Sequence, residues 1–285
     1  MEEINLKSFS DFSLLFERIR NGNLSANINI MEYGFLEPKD ILMLTQYFVV
    51  QNFHDINGTL FISNENGWYI QQINLIGFCN TNYINPCPLK ATIRTAIPIK
   101  RVGTSTMNSY IEDAQNFFAK FCFGKDISAL NICISEIINN VSDHSRSQHD
   151  SFIFSQYYSQ PRKIVFAISD LGVGIPKTVN EFMKAIAKDA LTDFEAVAWA
   201  FQRGQSVKSK SHNAGAGLDN IISNLRGIGE IQIYTNNVYC KVFIDGSKRF
   251  QVNPIKNFIG TLIEITIFTN KLDKIDETIL DVYSF

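Results

Sequence analysis

From Ala26 to Tyr33, Ile28 and Ile30 alternate with Asn27 and Asn29, the two-residue period of a strand with one buried face. Pro38 stands where a first helical turn begins. Ile41, Leu42, Leu44, Tyr47, Phe48 and Val49 then supply the apolar face of a helix that ends before the turn signal Asn57-Gly58. Thr59 to Ser63 reads as a second strand and Asn64-Glu65-Asn66-Gly67 as a turn. Trp68 to Phe78, with Tyr69, Ile70, Ile73 and Ile76, reads as a second helix. Strand, helix, strand, helix predicts a small α/β unit. Pro86, Pro88 and Pro98 punctuate the stretch from Asn80 to Thr106, which reads as a linker.

The second half opens on a long helix. Asp126 is a natural N-cap, and Ile127, Leu130, Ile134, Ile137, Ile138 and Val141 recur with helical spacing. Ser151 to Tyr157 and Lys163 to Ile168 are strand-like runs separated by Ser159-Gln160-Pro161-Arg162, a hairpin pattern. Thr192-Asp193-Phe194-Glu195 is a capping box opening another helix toward Phe201. Arg203 to Ala214, rich in Lys, Ser, Gly and Asn, has no period and reads as a loop, and Leu218 to Leu225 returns to helix. Ile231, Val242, Phe250 and Thr261 to Phe268 fall in alternating, strand-like segments. The pattern predicts an α+β sandwich. A mixed or antiparallel sheet layered by helices spans residues 105–285, after a smaller α/β domain over residues 1–100.

Composition narrows the function classes. At 285 residues and 45% apolar content, two domains of ordinary size are expected. Twenty-six basic against twenty-eight acidic side chains leave a formal charge of -2, so no global field draws the chain to nucleic acid or an anionic membrane. The five cysteines form no C-x-x-C pair, which suits reduced thiols better than a disulfide frame or zinc site. The start Met1-Glu2-Glu3-Ile4-Asn5 lacks the cationic and apolar runs of a signal peptide, and the longest apolar stretch is interrupted by Thr45 and Gln46. A cytoplasmic protein is expected.

Three segments carry candidate chemistry. On the helix begun at Asp126, Glu136, Asn140 and His144 lie four residues apart on one stripe, away from the apolar one. Asn139 and Asn140 are poor helix formers with no propensity reason to be there. The strand from Lys163 ends in Asp170-Leu171-Gly172-Val173-Gly174-Ile175-Pro176. A strand-end carboxylate there can accept a hydrogen bond from an exocyclic amine, and two glycines let the backbone turn tightly. Asn213-Ala214-Gly215-Ala216-Gly217-Leu218 leads into a helix, where free amides and the positive end of the dipole suit phosphate oxygens. It follows no strand and lacks a G-K-S/T ending, so neither a Rossmann fingerprint nor a P-loop is supported.

Taken in this order, with Gly260-Thr261-Leu262-Ile263-Glu264 behind them, the three segments resemble the N, G1 and G2 boxes of the GHKL superfamily of histidine kinase-like ATPases over about residues 105–270. The resemblance implies a Bergerat ATP-binding fold with ATP and Mg²⁺ as cofactors. It makes Glu136 the general base, Asn140 the Mg²⁺ ligand and Asp170 the acceptor of the adenine amine. Gly172 and Gly174 would shape the adenine pocket, Gly215, Gly217 and the Leu218 amide would cradle phosphates, and Thr261 would support Asp170 through water. Phe201 to Lys208 is similar to the lid entrance of kinases in this superfamily, which makes Lys208 and Lys210 candidate phosphate contacts, while His144 is expected to cap its helix. Residues 20–80 resemble the STAS-like modules of sigma-factor regulators by pattern alone.

The only histidine ahead of the N box, His54, sits beside a turn signal, so sensor-kinase autophosphorylation is not expected. With the last strand followed closely by Phe285, the further domain of gyrase-like members is not expected. The expected function is ATP hydrolysis or phosphoryl transfer to a protein serine or threonine, as in anti-sigma kinases. The alternative is an ATP-dependent binding switch with little turnover. A protein partner is expected at the N-terminal domain or the lid, with a homodimer as another assembly.

Overall fold

Two sheets of opposite character share one helix. The computed structural model describes residues 1–78, 82–84, 95–103, 105–202 and 218–275. The first sheet is four-stranded and parallel, with β1 (Glu2–Asn5), β2 (Ala26–Ile30), β3 (Thr59–Ile62) and β4 (Asn82–Ile84) side by side in chain order. Helices connect successive strands, as parallel pairing requires: α1 (Phe12–Asn21), then α2 (Pro38–Phe53), then α3 (Asn64–Gln72) with α4 (Leu75–Phe78). β1 and α1 lie ahead of the expected elements. The single helix expected over Trp68–Phe78 is broken, because Asn74 takes a left-handed φ of 64° between α3 and α4.

The second sheet has seven strands, all in antiparallel pairs, in the order β10 (Lys248–Val252), β9 (Val238–Val242), β8 (Gly229–Thr235), β11 (Thr261–Phe268), β7 (Lys163–Asp170), β6 (Ser151–Tyr158) and β5 (Ala96–Val102). Part of the stretch read as a linker is therefore strand β5. On the front face pack α5 (Met107–Phe118), α6 (Ser128–His144) and α9 (Leu218–Leu225), around a core that includes Ile134, Ile137, Phe166, Ile168, Ile231 and Ile265. Two further helices, α7 (Ile175–Ala185) and α8 (Asp193–Ala200), lie against each other beside it. Helix α6 begins one residue later than expected, with Ile127 in the N-cap position, and Asp126 Oδ1 accepts the amide of the first helical residue, Ser128, at 2.8 Å in a turn just ahead of it. The capping box at Thr192 is formed, with the Thr192 amide donating to Glu195 Oε2 at 2.8 Å.

The rear face of this sheet is covered by α2. Thirteen of its sixteen residues are buried, so it has no polar face, unlike the one-sided helix its leading apolar residues suggest. One side meets the parallel sheet, and the other meets Phe152, Phe154, Ala167 and Leu262 in one continuous core. Several of its polar side chains donate hydrogen bonds inside the protein. Thr45 Oγ1 donates to Ile41 O at 2.8 Å, Gln51 Nε2 donates to Leu24 O and Ala26 O, and Gln46 Nε2 donates to Ser169 O at 3.0 Å. Covered on both faces, β7 and β11 are buried almost without interruption. Among the described residues, no helix is long and apolar enough to cross a membrane.

Candidate functional site

The site forms where the front helices leave the ends of β7 and β11 uncovered. On α6 the buried residues Leu130, Cys133, Ile134, Ile137, Ile138 and Val141 lie against the sheet, which turns Glu136, Asn140 and His144 to the other stripe. Asn140 and His144 line a cavity of about 730 Å³ including its open mouth. Its apolar walls come from Val141, Ile175, Val179, Trp199, Leu218 and Ile263, and its polar positions include Asp170 and Thr261. This mix of apolar walls with a few convergent polar groups fits a small-molecule site.

Asp170 is 3% exposed. Its Oδ1 accepts the Gly172 amide at 2.7 Å, and the Thr261 amide also bonds its carboxyl. Burial nevertheless outweighs these amides and pushes the carboxyl up to about 7. Thr261 lies directly opposite Asp170 in the antiparallel register, so the two stand together at one edge of the cavity.

The loop after Asp170 is shaped by close backbone approach. A Cβ on Gly172 would stand 1.9 Å from Ser145 O, and the next amide, Val173 N, donates to that same carbonyl at 2.8 Å. Gly174 takes a φ of 80°, and a Cβ there would stand 1.9 Å from Asn236 Oδ1. Thr235, fully buried at the end of β8, ties the strand ends together. Its Oγ1 accepts the Ile175 amide at 3.0 Å and donates to Gly260 O at 3.1 Å. Gly260, with a φ of 84°, lets the chain pass Asp170 O where a Cβ would stand 2.0 Å away.

The cavity thus brings together Asn140, Asp170, Gly174, Leu218 and Thr261 of the expected residues, and it adds His144. His144 is the last residue of α6, where a cap was expected, and it also faces the cavity. Gly172 is not in the lining; it seats the loop on Ser145. Glu136 is not in the lining either. It lies one turn before Asn140, where its Oε1 accepts Asn220 Nδ2 at 3.1 Å. Lys208, Lys210, Gly215, Gly217 and the loop Arg203–Ala214 lie outside the described residues.

Sequence reasoning missed Thr235, Ser145 and Trp199. Thr235 precedes an Asn-Asn turn, a weak signal for a strand end, and Ser145 contributes mainly its backbone carbonyl, which leaves no trace in residue type. Trp199 lies on the helix found from its capping box, but nothing local told which way its ring faces.

Among the described residues, no group of three or more His, Cys, Asp or Glu could hold a metal ion. Asn140 offers a hard amide oxygen at the cavity, so a divalent ion would draw its other ligands from a bound phosphate and water, the usual manner of Mg²⁺. Compared with known proteins, the chain matches no family model and no curated protein.

Proposed function

We propose that this chain binds Mg-ATP in the cavity, in the manner of the GHKL superfamily it resembles. Its proposed reaction is slow ATP hydrolysis or phosphoryl transfer to a serine or threonine of a protein partner. The observation that carries the reading is Asp170: a buried strand-end carboxylate, held by backbone amides, at the edge of an otherwise mainly apolar cavity. A flat aromatic base with an exocyclic amine needs such a place, apolar across its faces and an acceptor at its edge.

Asp170 would accept the adenine amine, and Thr261 beside it would hold the carboxyl in place. Asn140 would hold Mg²⁺, which when bound neutralises phosphate charge and polarises the terminal phosphoryl group. Glu136, one turn back on α6, would orient the attacking water or hydroxyl and take its proton. The partner would meet the N-terminal unit or the loop Arg203–Ala214, and a second copy of the chain is another candidate.

The reading is tested by Glu136→Ala and Asp170→Asn, compared by calorimetric titration with Mg-ATP and by phosphate release. Glu136→Ala is expected to bind as the parent does and to lose turnover at least 100-fold. Asp170→Asn is expected to lose at least 10-fold in affinity, because the amide presents a second donor to the adenine amine. Equal binding by both variants would undo these roles.

A second reading, ATP as a switch without useful turnover, is favoured by two observations. Glu136 stands outside the cavity lining, and Gln46 of α2 bonds Ser169 O, next to Asp170. Tight Mg-ATP binding with no phosphate release from the parent protein would select it.

A further inference from the structure

Glu136 is met from α9. Its Oε1 accepts Asn220 Nδ2 at 3.1 Å, and Asn220 is the third residue of the helix whose first residue, Leu218, lines the cavity. The Asn220 amide is itself oriented. Its Oδ1 accepts Asn224 Nδ2 at 3.1 Å one turn later, and the same Asn224 nitrogen donates to Asn220 O at 2.8 Å. An asparagine amide has one donor end and one acceptor end. With the acceptor end taken by Asn224, the donor end faces the carboxylate. Flipping the amide would set oxygen against carboxylate and NH₂ against NH₂, two repulsive contacts in place of two bonds.

We infer that Asn220 is a positioning residue for Glu136. Held by Asn224, it orients the carboxylate and stabilises its ionised form, and it ties the group on α6 to the placement of α9, whose first residue lines the cavity. This rests on the proposed role of Glu136 as base. The physical content is one charge-assisted hydrogen bond whose donor is fixed by a neighbour, so the orientation of Glu136 follows α9 and not α6 alone.

The test is made first on the nucleotide-free protein. The carboxyl carbon of Glu136, assigned with Glu136→Gln, is titrated by ¹³C NMR in the parent and in Asn220→Ala, Asn220→Asp and Asn224→Ala. Loss of a donor to the charged form in Asn220→Ala is expected to raise the midpoint, and a second carboxylate in Asn220→Asp to raise it by about a unit or more. Asn224→Ala, which frees the amide, is expected to give a smaller rise, and it serves as the second variant should an Asn220 variant fold poorly. In the Mg-ATP-bound protein, Asn220→Ala should lower kcat about 10-fold with affinity within about threefold, and Asn220→Gln should restore part of it. Folded variants with an unchanged Glu136 midpoint would overturn the inference. Shifted midpoints in a protein that never releases phosphate would sustain the contact and sink the reading of Glu136 as base, so the two failures are distinct.

Discussion

Two buried carboxylates on adjacent strands, Glu264 of β11 and Asp170 of β7, sit on opposite faces of the same sheet and have opposite fates. On the rear face, Glu264 accepts the Lys39 amide at 3.2 Å and Gln232 Nε2 at 3.1 Å, with the Lys39 ammonium 4.0 Å away. On the front face, Asp170 meets backbone amides and borders a cavity. Burial pushes both carboxyls upward, so the shift alone does not separate them. The difference lies in the partners. Glu264 has a counter-charge within the protein, while among the described residues Asp170 meets neutral donors and a cavity beside it.

The largest effect that tests this contrast is expected from Glu264→Ala. Removing one member of a buried pair leaves Lys39 to the carboxyls of Asp40 and Glu37, at a cost of about 3–5 kcal/mol in urea unfolding. Mg-ATP affinity should be unchanged. A loss below about 1 kcal/mol would show that Glu37, which also pairs with Lys39, and the neighbouring Asp40 suffice, and would erase the contrast.

Asp170→Asn should act in the opposite direction. The Asp170 carboxyl lies at about 7 in the folded protein against 3.8 in the unfolded chain, so the folded state binds the proton more tightly. The stability this provides is fully present below about pH 4 and is lost as pH rises through about 7. At pH 8.5 the nucleotide-free variant, spared that loss, should be more stable by about 2–4 kcal/mol, with the gain shrinking steadily toward pH 4. A variant less stable than its parent at pH 8.5 would place Asp170 with the structural carboxylates.

Thr235→Val keeps the shape of a fully buried side chain but removes its bonds to Gly260 O and the Ile175 amide, for an expected loss of about 1–3 kcal/mol. Because those bonds hold the loop beside Asp170, Mg-ATP affinity should fall severalfold as well, and stability loss without an affinity change would separate the loop from the site. The smallest effect is expected from Gln46→Leu on the rear face. The Gln46 amide bonds Ser169 O, yet its buried Oε1 has no hydrogen-bond partner among the described residues, so the change should cost only about 1 kcal/mol. Any change in Mg-ATP affinity would measure communication between the two faces.

Much of the front of the sheet was legible in the chain, because its signals are local. The hairpin of β6 and β7 declared itself by two apolar runs around Gln160-Pro161, and α6 by six apolar positions at helical spacing. Asp170 and its glycines mark a turn whose tightness the side-chain clashes explain. The rear was harder to read. α2 has lost the polar stripe that reveals a helix's outer side, since both of its sides are inner, and residue type alone does not announce that Lys39, Gln46 and Gln51 are met by groups elsewhere in the chain. β1 buries only Ile4, too little for a period. The bond from Asn220 to Glu136 joins residues 84 positions apart, and no pattern of residue types announces it.

A helix with two insides also constrains descent. Any recombination that exchanged the parallel sheet for another unit would have to supply a new partner for Gln51, and any that exchanged the larger sheet would have to supply one for Lys39 and Gln46. Whichever parent contributed α2, one of its sides would face a stranger. The two sheets should therefore have been inherited together, and substitutions along Pro38–Phe53 should be matched by substitutions on both surfaces at once.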